Sequence, residues 1–215
     1  MITSKFQMVK GGLLETQALN KRKASLRTFM KKRRADNENR DVKEMLLIEN
    51  FWKAVNRLFG NRIGAGTRRT YFCYLSFSSE APTDKLIENL LCLGNIVCCP
   101  KVENGKMVAV ELGEDFTLSN LGIREPVGSE YDKRIDCVIA PLLAVDKQGN
   151  RLGYGGGFYD TFFKEHPNAK RIGYCFDFQI VDDVPFESWD ERLDCVVTDK
   201  QVVYTERNKR NTERK

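Results

Sequence analysis

The run Ile135–Ala140 presents almost no polar face. A strand of that kind is stable where both sides of its sheet are covered, as in a parallel sheet with helices above and below. Parallel neighbours need long crossover connections, so strands and helices should alternate along the chain. They do. Thr70–Leu75, rich in aromatic residues, reads as a buried strand. Thr83–Leu93 reads as a helix, with Thr83 as N-cap and Gly94 just past its end. Ile96–Pro100 is the next strand and completes a βαβ unit. Lys101–Leu112 reads as a hairpin turning at Asn104-Gly105. Phe158–Glu165 is expected to be a helix, and Arg171–Phe176 and Leu193–Thr198 two further strands. Upstream, Lys21–Arg34 is expected to be a helix with Leu26, Phe29 and Met30 on one side and Lys23 and Arg27 sharing another at i, i+4. Asp41–Phe59 is a second helix, whose stripe Met45, Ile48, Trp52, Val55 and Phe59 reads as a core face. Asn61–Arg69 is a glycine-rich loop, and Glu206–Lys215 lacks any apolar pattern and is expected to be disordered. The fold class that follows is α/β, with a mostly parallel central sheet and helices on both faces.

The chain has 215 residues, 41% of them hydrophobic, and no Pro/Gly/Ser-rich linker divides it, so one domain is expected. No apolar run approaches the ~20 residues of a membrane-spanning helix. Met1–Asn20 lacks the continuous apolar stretch of a secretory signal. Seven cysteines, an odd number without Cys-x-x-Cys spacing, sit mostly in strand-like runs. They read as buried, reduced thiols of a cytoplasmic protein rather than zinc ligands. His166 is the only histidine. That weighs against Ser-His-Asp or Cys-His catalysis, and a surface position at a helix end is expected for it. Residues 1–34 carry a net charge of +9, whereas residues 35–215 sum to −4. The basic character is local, which argues against a nucleic-acid-binding body.

The stretch that carries chemistry is Arg151-Leu152-Gly153-Tyr154-Gly155-Gly156-Gly157-Phe158-Tyr159-Asp160. So many glycines are costly to order, which suggests a sharp bend or a close approach to something. Successive N–H groups entering a helix form an anion site, and glycine lets a phosphate reach them. Arg151 adds a fork of donors for phosphate oxygens. Asp160 is a hard oxygen ligand suited to Mg²⁺, which takes one or two carboxylates plus phosphate oxygens. The alternative is a flexible turn before a helix. The spacing matches neither the dinucleotide-binding nor the Walker pattern.

With this segment in place, the sequence resembles the 5-formyltetrahydrofolate cyclo-ligase (methenyltetrahydrofolate synthetase) family across roughly residues 21–200. Lys23-Ala24-Ser25-Leu26-Arg27 is similar to the family's Lys-x-x-Leu-Arg helix, and Tyr74–Glu80 followed by Thr83 to its folate loop. Gly122–Pro126 is similar to its Gly-x-x-Glu-Pro turn. Asp136 through Pro141, Asp146 and Gly149 lead into the glycine segment as in the family. Ile172-Gly173, Phe176–Gln179, Leu193-Asp194 and Val196–Thr198 complete the pattern. The resemblance implies a three-layer α/β/α domain over residues 21–204, between an extension at 1–20 and a charged tail at 205–215. It implies ATP-dependent ring closure of 5-formyltetrahydrofolate to 5,10-methenyltetrahydrofolate, with release of ADP and phosphate.

Carried over onto this chain, Lys23, Arg27, Arg151, Leu152, Gly153, Tyr154, Gly155, Gly156, Gly157, Phe158 and Tyr159 hold ATP. Leu75, Glu80, Tyr154, Gly155, Gly156, Gly157 and Phe158 meet the folate, and Asp160 and Asp194 organise Mg²⁺. Arg151 and Tyr154 are the implied catalytic residues. Each has a structural alternative: Lys23 and Arg27 a solvated helix face, Leu75 a core residue, Asp194 a strand-end turn and Glu80 a surface residue. The chain departs from the family at Ala81-Pro82, at Gly156 (Lys in some members) and at Trp189-Asp190, where His-Asp is common. A monomer without nucleic-acid or membrane partners is expected. Competing readings are a nucleic-acid-binding protein with a basic helix, an inactive folate- or nucleotide-binding relative, and another enzyme, such as a sugar-phosphate isomerase, on a similar sheet.

Overall fold

The computed structural model describes residues 2–60 and 67–207, with residues 2–14 by backbone alone. Helices α1 (Ile2–Ala35) and α2 (Arg40–Phe59) come first. Strand β1 (Thr70–Cys73), helix α3 (Asp84–Cys92) and strand β2 (Ile96–Glu103) form the expected βαβ unit, and β3 (Lys106–Glu111) returns beside β2. A small ribbon of β4 (Phe116–Leu118) and β5 (Arg124–Pro126) follows, then β6 (Cys137–Ala140) and a second ribbon of β7 (Ala144–Val145) and β8 (Arg151–Leu152). Helix α4 (Phe158–Glu165), then β9 (Lys170–Tyr174), β10 (Cys195–Val197) and β11 (Val202–Tyr204) complete the chain. The central sheet runs β11-β10-β9-β6-β1-β2-β3, and only its edge strands β3 and β11 are antiparallel to their neighbours.

Alternation along β1 sets the layers. Tyr71 and Cys73 pack with Leu47, Phe51, Leu86 and Leu90 of α2 and α3. Phe72 points the other way, onto Phe162 and Phe163 of α4. Both faces are thereby covered, which is why β6 can be apolar throughout. A smaller cluster of Met30, Leu143, Ala144, Leu152 and Val184 pins α1 beside the β7–β8 ribbon.

Several expectations need correction. The first helix does not begin at Lys21; it runs from Ile2 through the extension. Phe29 does not share the buried side with Met30: Met30 is buried and Phe29 exposed. In α2 the row facing the sheet is Leu47, Phe51, Ala54 and Val55, while Met45 is 63% exposed and Ile48, Trp52 and Phe59 flank the contact. Two apolar rows lie side by side on this helix. Packing of Phe51 against the rings of Tyr71 and Tyr174, at 6.2 and 6.4 Å, selects between them. Thr83 precedes α3 but does not cap it with its side chain. Its hydroxyl donates to Tyr74 O at 2.8 Å and accepts from Ser76 N at 3.1 Å, which stitches the loop after β1.

The hairpin turns where expected, with Asn104 and Gly105 both at positive φ. His166 ends α4 half-buried, its ring 4.3 Å from that of Phe162. All seven cysteines are free and all but Cys92 buried. The loop expected at Asn61–Arg69 and the tail at Glu206–Lys215 lie mostly outside the described residues. Arg207 is described and pairs with Asp194. Among the described residues no helix is long and apolar enough to cross a membrane.

Candidate active site

The β7–β8 ribbon delivers the glycine segment, and Asp146 holds the turn between its strands. This buried carboxylate accepts from the backbone N–H groups of Gln148 and Asn150 at 3.0 and 2.9 Å and from Asn150 Nδ2 at 2.7 Å. The chain then crosses from Leu152 to α4 with Tyr154–Phe158 open to solvent. Gly155 has φ +108°, and a Cβ there would sit 3.4 Å from the Arg27 guanidinium. The bend therefore depends on glycine twice over, for its backbone angle and for the cation lying against it. The first N–H groups of α4, which lack intrahelical acceptors, begin where the bend ends.

Arg151 lies beneath this bend rather than above it. Its side chain is buried between the rings of Tyr159 and Phe163, at 5.3 and 5.8 Å. Its Nη2 is 3.2 Å from Asp160 Oδ2, and Asp160 Oδ1 accepts from Glu191 N at 3.1 Å. Arg151 Nε and Tyr159 Oη are buried without a hydrogen-bond partner. Buried polar atoms of this kind are what a bound anion or water would satisfy.

Three cations of α1 converge on the same region. Arg27 Nε donates to Gly153 O at 2.9 Å. Lys23 is buried against Glu187 and Asp190, at 2.7 and 2.9 Å. Arg34, which the motifs did not single out, donates to the Tyr154 hydroxyl, to Ser79 Oγ at 3.1 Å and to Leu142 O at 3.3 Å. The signal was available: Lys23, Arg27, Met30 and Arg34 follow i, i+4, i+7, i+11 and share one helical face. Arg40, also not anticipated, donates to the carbonyls of Ser79 and Glu80 from α2.

Glu80 is buried, not a surface residue. Its Oε2 accepts from Phe77 N at 3.0 Å and its Oε1 from the Tyr154 hydroxyl at 2.9 Å. Burial pushes its carboxyl above the ordinary carboxylate range, and the Phe77 N–H, the Tyr154 hydroxyl and the charge of Arg34 oppose that rise. The Tyr154 phenol is pushed up to about 12 by burial and by the Glu80 charge. Its body remains 48% exposed on the open side of the bend. One tyrosine thus reaches from the glycine segment into the expected folate loop. Leu75 lies in the core beneath that loop. Tyr74 Oη donates to Ala81 O at 2.7 Å, so the unusual Ala81-Pro82 pair is held in place from below.

The two expected metal ligands have different surroundings. Asp160 keeps 22% of its side chain exposed beside the bend, and its carboxylate has the hard-oxygen character that Mg²⁺ takes. Asp194 is fully buried before β10, where Oδ2 accepts from Arg171 N at 2.9 Å and Oδ1 lies 3.5 Å from Arg207 Nε. The two are connected through Arg171, whose Nη1 pairs with Glu191 at 2.6 Å. Among the described residues no three His, Cys, Asp or Glu side chains form a metal cluster. The Asp160 carboxylate at the bend is of the kind that suits a divalent ion completed by ligand oxygens.

The fold and the sequence both match known proteins. The chain is 35% identical over 144 residues to the 5-formyltetrahydrofolate cyclo-ligase of Escherichia coli, covering 62% of this chain and 79% of that one. It is 29% identical over 144 residues to that of Mus musculus, covering 58% and 70%. The fold is that of the 5,10-methenyltetrahydrofolate synthetase of Aquifex aeolicus, with a TM-score of 0.70 at 23% identity over 85% of this chain and 92% of that one. The synthetase of Mycoplasma pneumoniae gives 0.62 at 20% identity over 82% and 98%. The model of one family matches residues 19–199, and on that match the chain belongs to the 5-formyltetrahydrofolate cyclo-ligase family.

Proposed function

We propose that the protein closes 5-formyltetrahydrofolate to 5,10-methenyltetrahydrofolate at the expense of ATP, with Mg²⁺ as cofactor. The observation that carries this reading is the 2.9 Å hydrogen bond from Tyr154 to Glu80. It joins a segment suited to phosphate with a carboxylate suited to the amino and ring N–H groups of a pterin, as a reaction between nucleotide and folate requires.

A formamide carbon is a poor electrophile and its oxygen a poor leaving group. In the proposed reaction the formyl oxygen attacks the γ-phosphorus, and ADP departs as the bond to its β-phosphate oxygen breaks. N10 then adds to the activated carbon and gives up its proton to solvent. Phosphate leaves with the former formyl oxygen, and the methenyl cation is shared between N5 and N10. Phosphoryl transfer asks the protein mainly for positioning and for neutralisation of charge.

Gly153–Tyr159 would supply main-chain donors to the phosphates, with Arg27 against the outer side of the bend. Arg151, from below, would hold Asp160 and the rings that shape the bend, and Asp160 would hold the ion. Mg²⁺, when bound, would offset the charge of the phosphates. Glu80 would orient the pterin and Tyr154 would lie against the formyl group. Lys23 would meet the nucleotide only after parting from Glu187 and Asp190. The inward engagement of Lys23, Arg27 and Arg34 speaks against α1 as a nucleic-acid surface. A cytoplasmic monomer suits this reading.

The test is the appearance of the methenyl chromophore from 5-formyltetrahydrofolate, ATP and Mg²⁺. Wild type should turn over, and Asp160→Ala or Arg151→Ala should lose nearly all activity while circular dichroism shows the fold intact. Equal rates without ATP would overturn the mechanism.

A further inference from the structure

Arg34 is a buried cation whose direct partners are all neutral. The residue is 3% exposed. Its three donor contacts go to a serine hydroxyl, a carbonyl and a tyrosine hydroxyl. It takes part in no direct ion pair among the described residues. Burying a guanidinium in this way is costly, so its position calls for a reason. The carboxylate it serves is one link away, since the Tyr154 hydroxyl that receives Arg34 donates to Glu80.

We propose that Arg34 is a positioning residue that couples the two substrates. Its fork grips Ser79 in the loop after β1 and Tyr154 in the glycine segment at the same time, while Nη1 anchors it to Leu142 in the loop after β6. Seating folate against Glu80 fixes Tyr154 through its hydroxyl, and ordering Tyr154 fixes the bend that receives phosphate. The planar fork of an arginine can hold both segments at once; an ammonium, as a point charge, cannot hold the same geometry. Coupling of this kind is reciprocal: each ligand tightens the other by the same factor. The inference rests on the function proposed above.

The experiment measures binding of 5-formyltetrahydrofolate, by tryptophan fluorescence or calorimetry, with and without a non-hydrolysable ATP analogue and Mg²⁺. In wild type the analogue should tighten folate binding by at least about 5-fold. In Arg34→Gln the factor should fall toward one, and Arg34→Lys should restore only part of it. Ser79→Ala removes one of the three acceptors and should lower the factor without disturbing the core; it decides the matter if Arg34→Gln fails to fold. Unchanged coupling in the variants, however weak each separate affinity, would make Arg34 merely structural and overturn the inference, as would a wild type without coupling. A wild type that binds both ligands but forms no methenyl product would instead overturn the proposed function.

Discussion

Lys23 donates to Glu187 at 2.7 Å across 164 residues of chain. The same ammonium reaches Asp190 at 2.9 Å. The unusual Trp189-Asp190 pair thereby acquires a definite role, since its aspartate fastens α1 to the loop before β10. Replacing Lys23 by Met leaves two carboxylates facing each other in a poorly hydrated place. We expect a loss of about 2 kcal/mol in urea unfolding, the scale of a charged hydrogen bond. If the lysine also reaches the nucleotide, KM for ATP will rise in Lys23→Met at temperatures where the fold is intact. An unchanged KM would confine Lys23 to the strap.

The rotated face of α2 has a simple consequence. Leu47→Ala removes a fully buried side chain from the sheet contact and should cost about 2–5 kcal/mol. Met45→Ala lies in the stripe that the sequence favours but faces solvent, and should stay within about 0.5 kcal/mol of wild type. Comparable losses at both positions would show that the helix is turned differently.

Gly155→Ala forces a side chain into a backbone angle that L-residues rarely adopt and against the guanidinium of Arg27. The strain should cost roughly 1–2 kcal/mol. The larger effect should be a fall in kcat/KM of at least tenfold, about 1.4 kcal/mol in transition-state free energy, because Arg27 and the bend must both shift. Full activity with only lowered stability would remove the bend from the site.

Glu80 gives a pH-dependent prediction. Its folded-state pKa stands above the ordinary value of 4.5 because burial disfavours the charge. The folded chain therefore holds this proton more tightly than the unfolded chain, and stability falls as pH rises from about 4.5 through the folded-state value. At neutral pH the carboxylate is a cost to the fold. Glu80→Gln should raise Tm at pH 7, with the gain shrinking as pH approaches 4.5, while folate affinity falls. A lower Tm at pH 7 would mean that the contacts with Phe77 and Tyr154 and the charge of Arg34 outweigh burial.

Much of this was legible in the sequence because the signals are local. The apolar run of β6, the Asn104-Gly105 turn and the span of α4 each depend on a few adjacent residues, and they stand in the structure where the chain announces them. The glycine segment was legible for the same reason. What stayed hidden depends on partners far along the chain. Nothing near Arg34 announces Tyr154, and nothing near Asp194 announces Arg171. The inward turn of Arg151 follows from aromatic rings on α4 that read equally well as core. The choice between two apolar rows on α2 is made by Tyr71 and Tyr174, which no helical periodicity contains.

The long helix α1 also dictates an order of assembly. It is synthesised well before its docking surface: Gly153, Glu187 and Asp190, which receive Arg27 and Lys23, follow by 126, 164 and 167 residues. At a synthesis rate of about 5–20 residues per second, α1 must wait several seconds for a docking surface while the sheet forms without it. Its cationic stripe is solvated during that interval. A nascent chain arrested before Glu187 should therefore carry a protease-sensitive α1, and resistance should arrive only once Glu187 and Asp190 have emerged.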